Sequence, residues 1–174
     1  MRISELISIS LDGFFSGENG CYVYVSPTEI TFKQAFVKMF PELPVTPDGE
    51  LHCTVMYSPE GTPDKDAAFT LLDTDREFPA AISELVCWEG HDKAGYMVLK
   101  LTSLDLSNRH MQWRGLGCVP TFPDYTPHIT MAKKVELTDE LKQKIAEFNA
   151  YLTGLPSDSK TLIFNNEHIE DIKD

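Results

Sequence analysis

Leu-His-Cys-Thr-Val at residues 51–55 and Pro-His-Ile-Thr-Met at residues 127–131 carry the same tripeptide pattern, His-x-Thr, inside short apolar segments. With 5 histidines and 14 threonines in 174 residues, about 0.4 such tripeptides are expected by chance. Two copies in the same kind of segment therefore indicate an internal duplication that places the two segments on neighbouring strands.

Each tripeptide predicts a histidine and a threonine on one face of a strand. Side chains alternate between the two faces, so His52 shares a face with Thr54, and His128 shares a face with Thr130. The middle residue of each tripeptide has apolar character and points to the opposite face, where a core suits it. We therefore expect two polar pairs that lie on the same side of a sheet.

The sequence around the motifs alternates strand-like and helix-like segments. Patterning and composition predict strands at 21–25, 51–57, 78–88, 96–101, 128–132 and 161–164. Helical spacing predicts helices from 26–29 to Phe40, over 63–72, over 103–113 and from Thr138 onward. Residues 78–101 form a predicted hairpin with a turn at 90–95, and residues 3–11 fit a strand or a helix. This order predicts one α+β domain over residues 1–174, with residues 1–20 as an N-terminal extension.

The composition excludes several classes of function. Hydrophobic residues make up 42% of the chain, which supplies a core, and the formal net charge is −12. Long nucleic acids are bound by clustered Lys and Arg, and the densest basic group here is Lys133-Lys134, so we expect no long nucleic acid as a partner. A small anionic ligand is compatible with this charge. Short apolar runs and an N-terminus without a signal-peptide pattern predict a cytoplasmic protein with no membrane partner.

The four cysteines, Cys21, Cys53, Cys87 and Cys118, are widely spaced and include no Cys-x-x-Cys pair. This spacing favours neither a zinc site nor a disulfide framework. We expect reduced thiols in the core of a cytosolic protein, with no bound metal.

Two histidines with accompanying threonines suit the cleavage of a phosphodiester. Imidazole exchanges protons near neutral pH, so one histidine can deprotonate an attacking hydroxyl while the other protonates the departing oxygen. A threonine hydroxyl can donate a hydrogen bond to a non-bridging phosphate oxygen and stabilise the developing charge. This chemistry needs no metal or cofactor, and the sequence leaves open which histidine is the base. The predicted catalytic residues are His52, Thr54, His128 and Thr130.

His52-Cys53-Thr54 and Pro127-His128-Ile129-Thr130, with the preceding loop at 122–126, resemble the motifs of the two-histidine phosphoesterases. The resemblance spans about residues 21–165, and the motifs are its specific part. It implies an α+β fold of two pseudo-symmetric antiparallel-sheet lobes, with helices packed outside and a central groove. It also implies metal-independent cleavage of a phosphodiester beside a ribose hydroxyl.

Within that family, the string His-Cys-Thr-Val-Met-Tyr-Ser at 52–58 and the acidic C-terminal strand look most like the phage anti-CBASS nucleases. This resemblance implies a cyclic di- or trinucleotide substrate such as cyclic GMP-AMP, attack by a ribose 2′-hydroxyl, and action in the cytoplasm of a host bacterium. It further implies aromatic side chains that stack on the bases, for which Tyr22, Tyr24 and Trp88 are the candidates. Glu167 is the candidate for a C-terminal carboxylate in the site, and no Trp or Tyr follows it.

Three other functions stay open at this point. The same chemistry would serve a 2′,3′-cyclic phosphodiesterase that acts on RNA ends. A second alternative is a protein that sequesters a nucleotide without cutting it, and a third is an interaction domain with an acidic face that mimics nucleic acid. The remaining histidines, His91, His110 and His168, are interpreted as surface residues, and Arg109 and Arg114 as solvated helix charges.

Overall fold

The computed structural model describes residues 14–90 and 94–172. Within them, the strands are β1 (Cys21–Pro27), β2 (Cys53–Ser58), β3 (Phe78–Glu89), β4 (Gly95–Thr102), β5 (His128–Val135) and β6 (Thr161–Glu170). The helices are α1 (Thr31–Met39), α2 (Lys65–Leu71), α3 (Leu104–Gly115) and α4 (Asp139–Gly154), with 3₁₀ turns at Asp48–Glu50 and Ser157–Lys160. The predicted segment 3–11 and part of the predicted turn at 90–95 lie outside the described residues.

The described strands pair into one closed antiparallel sheet in the order β1-β2-β5-β4-β3-β6, and β6 returns to pair with β1. β3 and β4 form a long antiparallel ladder, which is the predicted hairpin. β2 and β5, which are far apart in the chain, meet at Cys53 and Ile129. The structure thus confirms the predicted α+β class, whereas the division into two lobes stays a prediction.

Alternation along β1 shows how the sheet separates the core from an open face. Cys21, Val23 and Val25 are fully buried, while Tyr22 and Tyr24 are half-buried on the other side. α3 and α4 pack against β3, and α1 contacts α4. The largest buried aromatic side chains of these helices are Phe36, Trp113 and Phe148. The core therefore covers one face of β1. The opposite face, which carries Tyr22 and Tyr24, stays open and can line a groove.

Three of the helices begin after a residue whose side chain caps the first turn. Asp64, Ser103 and Thr138 each accept a hydrogen bond from the backbone N–H three residues later. A cap of this kind stabilises a helix by about 1 kcal/mol. The predicted starts at 103 and 138 are therefore the capping residues themselves.

Two of the predicted boundaries that differ from the structure are explained by strand pairing. The first helix begins at Thr31 rather than within 26–29, because residues up to Pro27 belong to β1 and pair with β6. The last strand runs to Glu170 rather than ending at Phe164, because its second half pairs with β1. This extension brings C-terminal side chains to the face that carries the tyrosines.

The cysteines are free thiols, of which Cys21, Cys53 and Cys118 are buried and Cys87 is half-buried. Burial raises the pKa of the Cys53 thiol to about 12, so this thiol stays protonated near neutral pH. Across residues 14–90 and 94–172, each helix is too short or too polar to cross a membrane.

Candidate active site

The two His-x-Thr motifs lie side by side on β2 and β5. Cys53 pairs with Ile129 across the two antiparallel strands, and both side chains are fully buried. In this register the histidine of each motif lies across from the threonine of the other, on the open face of the sheet. The side chains brought together are half-buried: His52, Thr54, His128 and Thr130.

Both imidazoles are oriented by the same local hydrogen bond. Nδ1 of His52 lies 2.8 Å from the carbonyl oxygen of Glu50, and Nδ1 of His128 lies 2.9 Å from the carbonyl oxygen of Thr126. A carbonyl oxygen accepts, so Nδ1 is the donor in each ring and Nε2 takes no part in this hydrogen bond. In both motifs the carbonyl belongs to the residue two positions earlier, which agrees with an internal duplication.

Tyr22 contacts Nε2 of His52. Its hydroxyl lies 2.7 Å from Nε2 of His52 and 3.3 Å from Oγ1 of Thr54. Burial raises the pKa of Tyr22, and the nearby Glu170 acts in the same direction against the Thr54 hydrogen bond, so the hydroxyl keeps its proton. Tyr24 packs its ring against His52 with centroids 5.1 Å apart. Both tyrosines thus contact the His52 ring.

The surroundings of His128 favour the uncharged form of its imidazole. Burial lowers the pKa of His128, the Thr126 hydrogen bond opposes this, and the nearby His52 lowers it further. The Trp88 ring meets the imidazole edge to face, with centroids 4.6 Å apart. His128 is therefore held in its neutral form near pH 7, with Nδ1 protonated and a lone pair on Nε2.

Two pockets adjoin the motif residues. The tyrosine pocket, a cleft of about 810 Å³, is lined among others by Tyr22, Tyr24, His52, Thr130 and Glu170. The tryptophan pocket, of about 580 Å³, is lined among others by Trp88, His110, Phe122, Tyr125 and His128. Thr54 lines both, so the two pockets meet at the motifs.

The tyrosine pocket also carries the densest basic group of the sequence. Lys133 and Lys134 both line it, although consecutive residues of a regular strand point to opposite faces. Lys134 has a φ of 56°, which interrupts the alternation at this end of β5. Two cations are thus available beside Thr130 in a protein that is acidic as a whole.

The structure does not place Glu167 in the lining of the tyrosine pocket or of the tryptophan pocket. Its carboxylate is buried and accepts hydrogen bonds from Arg109 at 2.6 and 2.8 Å and from Trp113 Nε1 at 3.2 Å. Asn166 has a φ of 57°, which shifts the alternation of β6 so that Glu167 faces the interior. The C-terminal carboxylate that lines the tyrosine pocket is that of Glu170.

The interpretation of His110 and Arg109 as surface groups is wrong. Only 2% of Arg109 and 4% of His110 is exposed, and both lie on the inner face of α3. Leu106, Arg109, His110 and Trp113 are buried at the spacing of one helical face. The same spacing is visible in the sequence, but a pattern defined by apolar residues does not include an arginine or a histidine.

A family model described as "Anti-CBASS protein Acb1" matches residues 19–174, which include both motifs. The chain belongs to the Acb1 family. The Acb1 protein of Vibrio phage KVP40 is 31% identical over 122 residues, covering 68% of this chain and 75% of that protein. The Acb1 protein of Enterobacteria phage T4 is 33% identical over 120 residues, covering 67% and 73%. The predicted likeness to the anti-CBASS proteins is thus confirmed.

The fold of this Acb1-family chain is also similar to that of a solved structure. Usb1 of Kluyveromyces marxianus aligns with a TM-score of 0.50 and 9% identity, over 88% of this chain and 94% of that one. At this identity the likeness concerns the fold alone. Membership of the wider two-histidine superfamily stays a prediction.

Proposed function

We propose that this protein is a phosphodiesterase that cleaves cyclic di- and trinucleotide immune signals, such as cyclic GMP-AMP, in the cytoplasm of an infected bacterium. Its two histidines perform the acid–base chemistry without a metal. The observation that carries the proposal is the Cys53–Ile129 register, which sets each motif histidine across from the other motif's threonine. The anti-CBASS name of the family and its phage members support evasion of CBASS defence as the purpose.

His128 is the base in this proposal, and His52 is the acid. Burial and the neighbouring imidazole lower the pKa of His128, so His128 is neutral near pH 7 and can accept a proton. For a 3′–5′ linkage, His128 Nε2 accepts the proton of the 2′-hydroxyl, whose oxygen forms a bond to phosphorus. The bond from phosphorus to the 5′-oxygen breaks, and His52 Nε2 donates its proton to that oxygen. The products are a 2′,3′-cyclic phosphate, which water can open with the two roles exchanged, and a free 5′-hydroxyl.

The threonines and Tyr22 position the reacting groups. Thr54 and Thr130 donate hydrogen bonds to the non-bridging phosphate oxygens and stabilise the charge that builds up on them. The Tyr22 hydroxyl, 2.7 Å from His52 Nε2, holds that nitrogen towards the groove until the leaving oxygen replaces it. Together these contacts align the acid with the departing oxygen before the reaction begins.

The two pockets receive the nucleosides on the two sides of the scissile phosphate. Trp88 offers a ring for stacking in the tryptophan pocket, and Tyr24 does so in the tyrosine pocket. A cyclic dinucleotide carries a second phosphate, for which Lys133 and Lys134 supply positive charge beside the motifs. The C-terminal carboxylate beside the substrate is that of Glu170, in place of the Glu167 carboxylate predicted from the sequence.

Incubation with cyclic GMP-AMP in the presence of EDTA, followed by chromatography of the products, tests this proposal. We expect many turnovers by the wild type and none by a His52→Ala/His128→Ala variant whose thermal unfolding shows an intact fold. A substrate with a 2′-deoxyribose at the scissile bond should stay uncut, because it lacks the attacking hydroxyl. Cleavage of that substrate would contradict the mechanism.

Three further outcomes separate the alternatives. Saturation at one ligand per protein with no product would favour sequestration. Opening of 2′,3′-cyclic phosphates on RNA ends, without cleavage of cyclic dinucleotides, would favour the RNA-end activity. An effect on CBASS that survives loss of both histidines would favour an interaction domain.

A further inference from the structure

His110 has an incomplete set of hydrogen bonds for a buried side chain. The residue is 4% exposed, and its Nδ1 lies 2.7 Å from the carbonyl oxygen of Val55. Within residues 14–90 and 94–172, its Nε2 is a buried side-chain nitrogen without a hydrogen-bond partner. An unpaired buried polar atom destabilises the folded state, so the Nε2 position of His110 is suited to a hydrogen-bond partner that a ligand supplies.

The Val55 carbonyl fixes which nitrogen of His110 carries the proton. The carbonyl oxygen accepts, so Nδ1 donates, and Nε2 of the neutral ring holds a lone pair. Burial lowers the pKa of His110, the Val55 hydrogen bond opposes this, and the nearby Arg114 lowers it further. His110 is therefore neutral near pH 7, and its Nε2 accepts a hydrogen bond and cannot donate one.

His110 lies in the wall of the tryptophan pocket, together with Trp88 and His128. Its ring stacks on Tyr125, with centroids 4.3 Å apart and an interplanar angle of 10°. The Tyr125 hydroxyl donates to the carbonyl oxygen of Thr54 at 2.8 Å, so the two stacked rings are tied to adjacent carbonyls of β2. This arrangement fixes the position of Nε2 relative to the catalytic threonine.

We propose that Nε2 of His110 accepts a hydrogen bond from an N–H group of the nucleobase in the tryptophan pocket, so that His110 determines which bases the pocket accepts. This inference rests on the proposed function and deepens it. A base suits the pocket because Trp88, Phe122 and Tyr125 give it aromatic walls for a planar ring. Adenine, guanine and cytosine carry amino donors of this kind. A base without a donor leaves Nε2 unpaired and binds more weakly.

Binding to the His52→Ala/His128→Ala protein, which leaves its ligand uncut, tests the inference. Calorimetry compares cyclic di-AMP with the analogue in which hydrogen replaces both 6-amino groups. His110→Asn in this background is the informative variant, because the amide N–H can still donate to Val55 while nothing replaces Nε2. His110→Phe is the second variant, since it retains a ring to stack on Tyr125.

We expect the parent double variant to bind cyclic di-AMP about tenfold more tightly than the analogue, and both His110 variants to bind the two ligands equally. The ¹⁵N signal of His110 Nε2 in the parent should shift with cyclic di-AMP and stay in place with the analogue. Equal binding by the parent, or unchanged discrimination in the variants, would overturn this inference and leave the proposed function standing. A parent that binds neither ligand would overturn both.

Discussion

Arg109 of α3 and Glu167 of β6 form a buried ion pair, with Nη2 2.6 Å from Oε1 and Nε 2.8 Å from Oε2. Their side chains are 3% and 0% exposed. The carboxylate also accepts a hydrogen bond from the Trp113 indole and one from the backbone N–H of Asp73. The pair therefore ties the strand that carries Glu170 to the helix that carries His110.

Glu167→Gln is expected to lower the free energy of unfolding by about 3 kcal/mol. The substitution keeps the shape of the side chain and leaves the Arg109 guanidinium as an uncompensated buried charge. Urea unfolding followed by circular dichroism measures the change. Glu84→Gln is the matched control, because the Glu84–Lys100 pair is partly exposed and should contribute less than about 1 kcal/mol. Equal losses in the two variants would contradict a structural role for the Glu167 pair.

Tyr22→Phe is expected to lower kcat/KM for cyclic GMP-AMP by about tenfold, with the fold unchanged. The variant keeps the ring and removes the hydroxyl that contacts His52 Nε2 and Thr54 Oγ1. Steady-state kinetics measures the loss. Tyr96→Phe, in which the hydroxyl is removed from a partly exposed tyrosine of β4, should keep wild-type rates. If the two variants behave alike, the Tyr22 hydroxyl does not position the acid.

The acidic limb of the pH profile of kcat/KM is expected to lie below pH 6.5. In the proposed mechanism His128 acts as a base in its neutral form, and burial lowers its pKa from 6.5, so activity should fall only when the pH drops through that lowered value. His52→Gln should raise the pKa of His128, because it removes the neighbouring imidazole that contributes to lowering it. Titration of the His128 ring protons by NMR measures this pKa in both proteins, and identical values would contradict the coupling.

Trp88→Ala is expected to raise KM for cyclic GMP-AMP by about tenfold or more. Stacking of a base on an aromatic ring is worth about 1–3 kcal/mol, and Trp88 lines the tryptophan pocket beside His128. Kinetics of the wild type, Trp88→Ala and Trp88→Phe give the comparison, and the Phe variant should recover part of the loss. Tyr151→Ala, at an exposed aromatic residue of α4, is the control that should leave KM unchanged. An unaltered KM in Trp88→Ala would exclude base stacking at this position.

The centre of the candidate site could be predicted from sequence because it depends on a local rule. Alternation along a strand puts His52 beside Thr54 and His128 beside Thr130 in any antiparallel arrangement. The meeting of the two strands required one further step, the interpretation of the repeated tripeptide as a duplication. The Cys53–Ile129 pair agrees with that interpretation.

The remaining groove residues depend on contacts that no short stretch of sequence contains. Asn166 adopts a left-handed φ where β6 pairs with β1, and this exchanges the inward and outward positions of Glu167 and Glu170. Arg109 is buried because its partner arrives from a strand 58 residues later. Local polarity therefore predicted a solvated arginine, whereas long-range pairing decided its burial.

In the described strands, β2 pairs with β5 through Cys53 and Ile129 alone, so no ladder between these strands sets the spacing of the two imidazoles. The other strand pairings of the closed sheet set the spacing of the two imidazoles, because they determine the circumference of the ring of strands. An insertion or deletion in β6 or β3 would therefore alter the alignment of the two imidazoles. Each half of the chain thus contributes one histidine of the candidate site, and the two become neighbours when the ring of strands closes.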